Sequence, residues 1–374
     1  MQRAEDRLSL NISSAELNHI CIEHFLRDRL RPPLSLDPDA GVSYDLAATA
    51  VLEAENLTTA DAPGKVILVG EHAVVYGRPA IAVPVAQVRA RAVVEDAPSG
   101  QGLTIRAVDL HLSHRLGKPI TDTHPAYPLD MTVRHTLQHF GVRGVPDLTL
   151  TISSTVPVAR GLGSGAAVAT AIVRSLAQHL GHSLAPSELS DLVFQTEIIH
   201  HGTPSGVDNT VIAFEQPVYF VKGQPMQTLQ VKRPFWLVIG DTGVASLTRT
   251  AVAKVRRAWQ TQPESYEKLF DSIGGIAEQA AQAIATGEIS RLGELMNRNQ
   301  LLLEALGVSS PELENLVQAA RKGGAMGAKL CGGGCGGNML ALVAPENVKA
   351  VASALEDAGA ANVIATTVRA TERG

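Results

Sequence analysis

Pro157–Ala171 reads PVARGLGSGAAVATA, and it follows LTLTISS at Leu148–Ser154. The earlier segment alternates leucine with β-branched residues and is predicted to be a strand. The later one crowds three glycines and a serine into five positions, then turns Ala/Val-rich and helical. Strand, glycine loop and helix N-terminus together make an anion cradle. Glycines let successive backbone N–H groups converge, and the first-turn amides of a helix have no partner inside it. A connection that needed only a turn would seldom use Gly161, Gly163 and Gly165 at once, so a phosphate-binding loop is expected. Leu162 is expected to pack beneath the loop. No Walker A lysine follows these glycines. Gly161-x-Gly163-x-x-Ala166 and Gly332-x-Gly334-x-x-Gly337 both fit dinucleotide-binding spacings, but neither has the strand–loop–helix–strand context those sites need.

The 374 residues are 45% apolar, enough for a large core in one or two domains. Net charge is −5 and aromatics are 4%, without a basic stripe, which argues against nucleic acid as a partner. Three cysteines cannot build a disulfide framework. No apolar run is long enough for a membrane span, and MQRAEDRLSL has no apolar core for a signal peptide. A soluble cytoplasmic protein is expected.

Residues 1–56 read as an N-terminal extension, with an amphipathic helix over Ser14–Leu30 stopped by Arg31-Pro32-Pro33. From Leu57 the character changes. Strands are expected at Lys65–Val69, Ala80–Val85, Val88–Glu95, Leu103–Val108, Leu148–Ser154 and Val218–Val221, with helices at Met131–Phe140, Ala166–Leu180 and Pro186–His200. HHGTPSGVDNTV, ending at Val211, is expected to be a loop. Beyond it come a strand at Phe235–Gly240, four helices between Leu247 and Lys322, strands at Ala325–Leu330 and Asn338–Val343, a helix at Glu346–Ala358 and a last strand at Asn362–Val368. This is an α+β chain, and the pattern divides it into domains at 57–225 and 226–374.

Glu197 falls late in a helix, and Asp208 lies in a loop beside Pro204, Ser205 and Gly206. A carboxylate there can cap a turn; beside a triphosphate it can hold magnesium or accept a hydroxyl proton. Lys65 can neutralise a phosphate or keep Asp208 ionised. His72, His200 and His201 have no zinc spacing, and Cys331 and Cys335 read as small residues in a glycine turn.

These segments together resemble the GHMP small-molecule kinases, and within them the mevalonate kinases most closely. PGKVILVGEHAVVYGRPAIAVPV (Pro63–Val85), PVARGLGSGAA, HGTPSGVDN (His201–Asn209) and KLCGGGCGG (Lys329–Gly337) match that family's motifs in order, from Leu57 onward. The resemblance implies a ribosomal S5-like N-terminal domain and a ferredoxin-like C-terminal domain. It implies ATP and Mg²⁺, with mevalonate as the small-molecule substrate, and dimers are common in the family. Asp208 would orient the substrate hydroxyl and take its proton, beside Lys65. Pro157, Arg160, Gly161, Leu162, Gly163, Ser164, Gly165 and Ala166 would form the ATP loop, closed over by Gly332, Gly333 and Gly334. Glu197 and Ser164 would reach the metal; Glu71, His72 and Thr248 would border the substrate. Three departures stand out. Gly165 replaces a serine that commonly reaches magnesium, Cys331 and Cys335 replace threonine and glycine, and Arg249 replaces a lysine.

Overall fold

The computed structural model describes residues 57–158, 160–201, 205–245 and 248–371, without the side chains of 199–201, 248 and 249. The extension at 1–56, with its expected helix, lies outside the described residues.

Two sheets organise the chain. The first has seven strands in the order β4-β3-β5-β2-β6-β7, with β1 paired to β2. Its spine is the antiparallel hairpin of β1 (Thr58–Val69) and β2 (Ala80–Asp96). Both strands are longer than the pattern of apolar residues suggests. Lys65–Val69 is merely the fully buried end of β1, and Thr58–Ala62 ahead of it pairs with Ala90–Val94 of β2. The register shifts between Pro63 and Gly64, which bends the strand. The expected strands at Ala80–Val85 and Val88–Glu95 are one element. Strands β3 (Thr104–Ala107) and β4 (Leu112–Arg115) follow, β3 running parallel to β5 (Leu148–Ser154). Strands β6 (Val218–Phe220) and β7 (Gln227–Thr228) close the far side.

Four helices accompany this sheet: α1 (Tyr127–His139), α2 (Ser164–His179), α3 (Pro186–His201) and α4 (Val207–Phe214). Helix α2 is Ala/Val-rich because it lies against β1 and β2 with Ala167, Ala171, Ile172 and Leu176 buried. Helix α4 corrects the expectation of a loop running to Val211. Gly206, in the left-handed region at φ 91°, starts the helix, and buried Val207, Val211 and Ile212 hold it down. Turn-forming residues before the helix masked its first turn in the sequence.

The second sheet is antiparallel in the order β11-β8-β10-β9, formed by β8 (Phe235–Asp241), β9 (Gly327–Leu330), β10 (Asn338–Val343) and β11 (Asn362–Val368). Helices α5 (Thr248–Thr261), α6 (Pro263–Thr286), α7 (Ile289–Ala305), α8 (Pro311–Lys322) and α9 (Val348–Asp357) complete it. Side-chain alternation gives the sheet two buried faces. Val238, Met339 and Ala341 join a core with Leu313, Leu316, Val351 and Leu355, whereas Leu237, Ile239 and Leu340 join Ile276, Leu292 and Met296. The second of these clusters is continuous with Val66 and Leu68 of the first sheet and Ile172 of α2. One apolar core therefore underlies both sheets and fixes the loops between them.

Candidate active site

Lys65 sits where β1 enters the core, and its amide donates to the Leu162 carbonyl at 2.9 Å, tying the strand to the glycine loop. Its ammonium lies 2.8 Å from Asp208 Oδ1; the lysine side chain is 4% exposed and that of Asp208 27%. Burial alone would drive the Lys65 pKa down, but the Asp208 carboxylate beside it holds it above the ordinary value. Asp208 is in the first turn of α4, where the helix dipole favours a carboxylate. Asn209 anchors that turn by donating to the Ser190 carbonyl at 3.1 Å and hydroxyl at 2.9 Å.

The glycine loop has the expected fold-back. Gly161 and Gly163 are left-handed, at φ 79° and 72°, and Ser164 opens α2. A Cβ on Gly163 would meet Lys65 Cγ at 2.9 Å and Ile212 Cδ1 at 3.0 Å, so the loop lies directly on the lysine stem. Leu162 is buried beneath it.

Two cavities meet here. One, of about 410 Å³, is lined by Ser164, Gly165 and Ala166 and by apolar Leu110, Pro125, Leu129 and Val158. The other, of about 810 Å³, is lined by Lys65, His72, Gly332, Gly333, Arg256 and Arg257. Gly161, Glu197 and Asp208 border both. Glu197 is buried, and that burial together with the Asp208 charge pushes its carboxyl up to about 8 against the pull of Lys65.

The structure thus brings Lys65, Gly161, Gly163, Ser164, Gly165, Ala166, Glu197, Asp208, His72, Gly332 and Gly333 around one junction. His72 is pushed down to about 4 by burial, opposed by its bond to the Gly333 carbonyl, and its neutral ring donates from Nε2 to that oxygen at 3.0 Å. Glu71 borders the larger cavity, yet its carboxylate is taken up by the Lys329 ammonium and by Asn299 Nδ2 at 3.0 Å. Pro157 and Arg160 line neither cavity. Arg160 Nε reaches Asp241 at 3.3 Å, and its carbonyl accepts from Asn338 Nδ2 at 2.6 Å, which joins the loop to the second sheet. Gly334 is pressed on the Val308 carbonyl, 2.1 Å from where a Cβ would stand. Thr248 opens α5, but its side chain is outside the described residues.

Sequence reasoning missed the apolar side of the smaller cavity, where Leu110, Pro125, Leu129 and Val158 come from separate stretches of the chain and share no motif. It also missed Arg256 and Arg257. The available signal was the run of basic residues along α5, TRTAVAKVRRAWQT, on a helix that reaches the cavity. The described residues contain no helix long and apolar enough to cross a membrane.

Comparison with known proteins agrees with this architecture. The GHMP kinases N terminal domain matches residues 127–216, and the GHMP kinases C terminal domain matches residues 280–361. A mevalonate kinase of Thermococcus sibiricus is 36% identical over 324 residues, 82% of this chain and 94% of that protein. One from Pyrococcus abyssi is 37% identical over 323 residues, 82% of this chain and 95% of its own. The crystal structure of L. major mevalonate kinase in complex with R-mevalonate superposes with a TM-score of 0.75 at 29% identity, covering 86% of this chain and 99% of that one. With both domain models matched in order and relatives this similar along nearly their whole length, the chain belongs to the GHMP kinase family.

Proposed function

We propose that this protein is a mevalonate kinase, transferring the γ-phosphoryl group of ATP to the primary hydroxyl of mevalonate to give 5-phosphomevalonate and ADP. The observation that carries the reading is the meeting of two unlike cavities at the Lys65–Asp208 pair. The apolar one suits an adenosine, with the first-turn amides of α2 beside it for phosphates. The larger one bears Arg256 and Arg257, which suit the carboxylate of a hydroxy acid. The names of the most similar relatives support mevalonate as that acid.

Phosphoryl transfer depends on positioning and on stabilising negative charge spread over the transferred group. Asp208 holds the hydroxyl in line and accepts its proton through the carboxylate oxygen not engaged by Lys65. The buried ammonium pairs with the Asp208 carboxylate and presents positive charge to the transferred group. The loop amides hold the phosphates.

Magnesium fits the residues present. Glu197 and Ser164 border the same cavity and offer oxygen donors, the hard set this ion prefers, with substrate phosphates supplying the rest. When bound there it would neutralise phosphate charge. Gly165 contributes no hydroxyl, which leaves Ser164 as the loop's side-chain donor.

Purified protein should release ADP from MgATP only when mevalonate is added. Equal or faster release with phosphomevalonate, homoserine or galactose would move the protein to another branch of the family. No release with any of them, alongside intact ATP binding, would make it a nucleotide-binding sensor.

A further inference from the structure

Lys329 and Glu71 form an ion pair that is 0% and 1% exposed, at the back of the larger cavity. The glutamate comes from the turn after β1, the strand that carries Lys65, whereas the lysine comes from β9 of the second sheet. Each is tied further. Lys329 Nζ also donates to the Leu330 carbonyl at 2.6 Å, and the Leu330 amide donates to Gln300 Oε1 at 2.7 Å. Asn299 Nδ2 holds the other oxygen of Glu71.

The segment after Lys329 is stitched to the same turn and strand. Cys331 Sγ donates to the Ile67 carbonyl at 3.5 Å, and His72, in the left-handed region at φ 61°, donates to Gly333. Between these two contacts lies Gly332, whose absent Cβ would stand 3.8 Å from Gly161 Cα across the cleft. The pair therefore lies at the root of the glycine loop that faces the phosphate loop.

Stability does not explain a charged pair here. Removing two charges from water is costly, and well-packed apolar residues commonly serve as well or better in a core. Ala328 and Leu330, on either side of Lys329, are themselves buried apolar residues. What a paired, multiply hydrogen-bonded lysine adds is one fixed register between β9 and the turn after β1.

We propose that Lys329 is a positioning residue for phosphoryl transfer: paired with Glu71, it sets the Gly332–Gly333 loop and the His72 ring against the bound nucleotide while touching neither substrate. The inference rests on the kinase reading above. Its test uses the full-length protein and the neutral double variant Glu71→Gln/Lys329→Met, with Lys329→Met alone for comparison. The readouts are melting temperature, affinity for a non-hydrolysable ATP analogue, and kcat with KM for each substrate.

The double variant should melt close to wild type, because neither charge is left unpaired. Its kcat should fall by about 10²-fold, the scale set by a misplacement of around an ångström. The KM for ATP and the analogue affinity should weaken about tenfold, while the KM for mevalonate stays within about threefold. Lys329→Met alone should melt lower than the double variant. A folded double variant with wild-type kcat and ATP KM would overturn the proposal. So would an insoluble double variant, which would assign the pair to folding. If the wild type binds the ATP analogue but phosphorylates nothing, the kinase reading fails instead, and the analogue affinity of the double variant still decides this proposal.

Discussion

Lys65 Nζ stands 2.8 Å from Asp208 Oδ1, the lysine almost wholly buried and the carboxylate partly open to both cavities. The asymmetry matters chemically. One carboxylate oxygen is held by the ammonium, and the group also borders both cavities.

Asp208→Asn keeps the shape and can still accept from Lys65, but it cannot take a proton. Its kcat should fall by a factor of about 10²–10⁴ with ATP-analogue affinity nearly unchanged. Retention of more than about a tenth of the wild-type rate, under about 1.4 kcal/mol on the barrier, would remove Asp208 from the role of base.

Gly163 tests how closely the loop is fitted to the lysine. An alanine there must adopt a left-handed φ, a penalty of about 1–2 kcal/mol, and its Cβ would push on Lys65 Cγ at 2.9 Å. Gly77→Ala is the control, with φ 81° but open space around the Cβ position. Gly163→Ala should lose at least as much stability in thermal melts as Gly77→Ala, and only Gly163→Ala should lose turnover. Equal rates in the two would show that the contact with Lys65 has no bearing on activity.

How far these features can be read from the sequence follows from the range of the interactions that set them. The conformation of the glycine loop is legible because its determinants are local: left-handed glycines, a helix start and a strand all lie within Leu148–Ala171. Helix α4 was not, since its stability comes from burying Val207, Val211 and Ile212 in a core built by distant strands. Glu71 carried the opposite difficulty. Its motif marks the cavity, but nothing near it in sequence reveals that Lys329 and Asn299 occupy its carboxylate. Arg256 and Arg257 belong to a helix whose polar side reads as solvated until the cavity beside it is known.

His72 gives a pH dependence with a definite sign. Its folded pKa, about 4, is below the unfolded value near 6.5, so the folded state holds fewer protons between the two. The stability from the neutral ring is present above pH 6.5 and is lost as pH falls toward 4, up to about 3 kcal/mol in all. His72→Gln can still donate to the Gly333 carbonyl but does not titrate. Melting curves from pH 7.5 to 4 should show wild type losing ground to His72→Gln below pH 6.5. Parallel curves would mean that the imidazole is not buried in its neutral form.

Arg256 and Arg257 both line the larger cavity, and Arg256 is the one with a fixed aromatic neighbour. Its guanidinium lies near the Tyr76 hydroxyl, countering the rise that burial imposes on that group. The Tyr76 ring is stacked on Phe270 at 4.1 Å between centroids, giving the arginine a rigid neighbour. Losing a charged hydrogen bond to a carboxylate removes about 1.5–3 kcal/mol. Arg256→Gln should therefore raise the KM for mevalonate by roughly 10–100-fold with little change in the KM for ATP. An analogue with an alcohol in place of the carboxylate separates lost recognition from a damaged pocket. Wild type should discriminate strongly against it, and Arg256→Gln should treat the acid and the alcohol almost alike, because the discrimination belongs to the pair of charges. If Arg256→Gln keeps the wild-type preference for the acid, then Arg257 or a group elsewhere in the cavity holds the carboxylate.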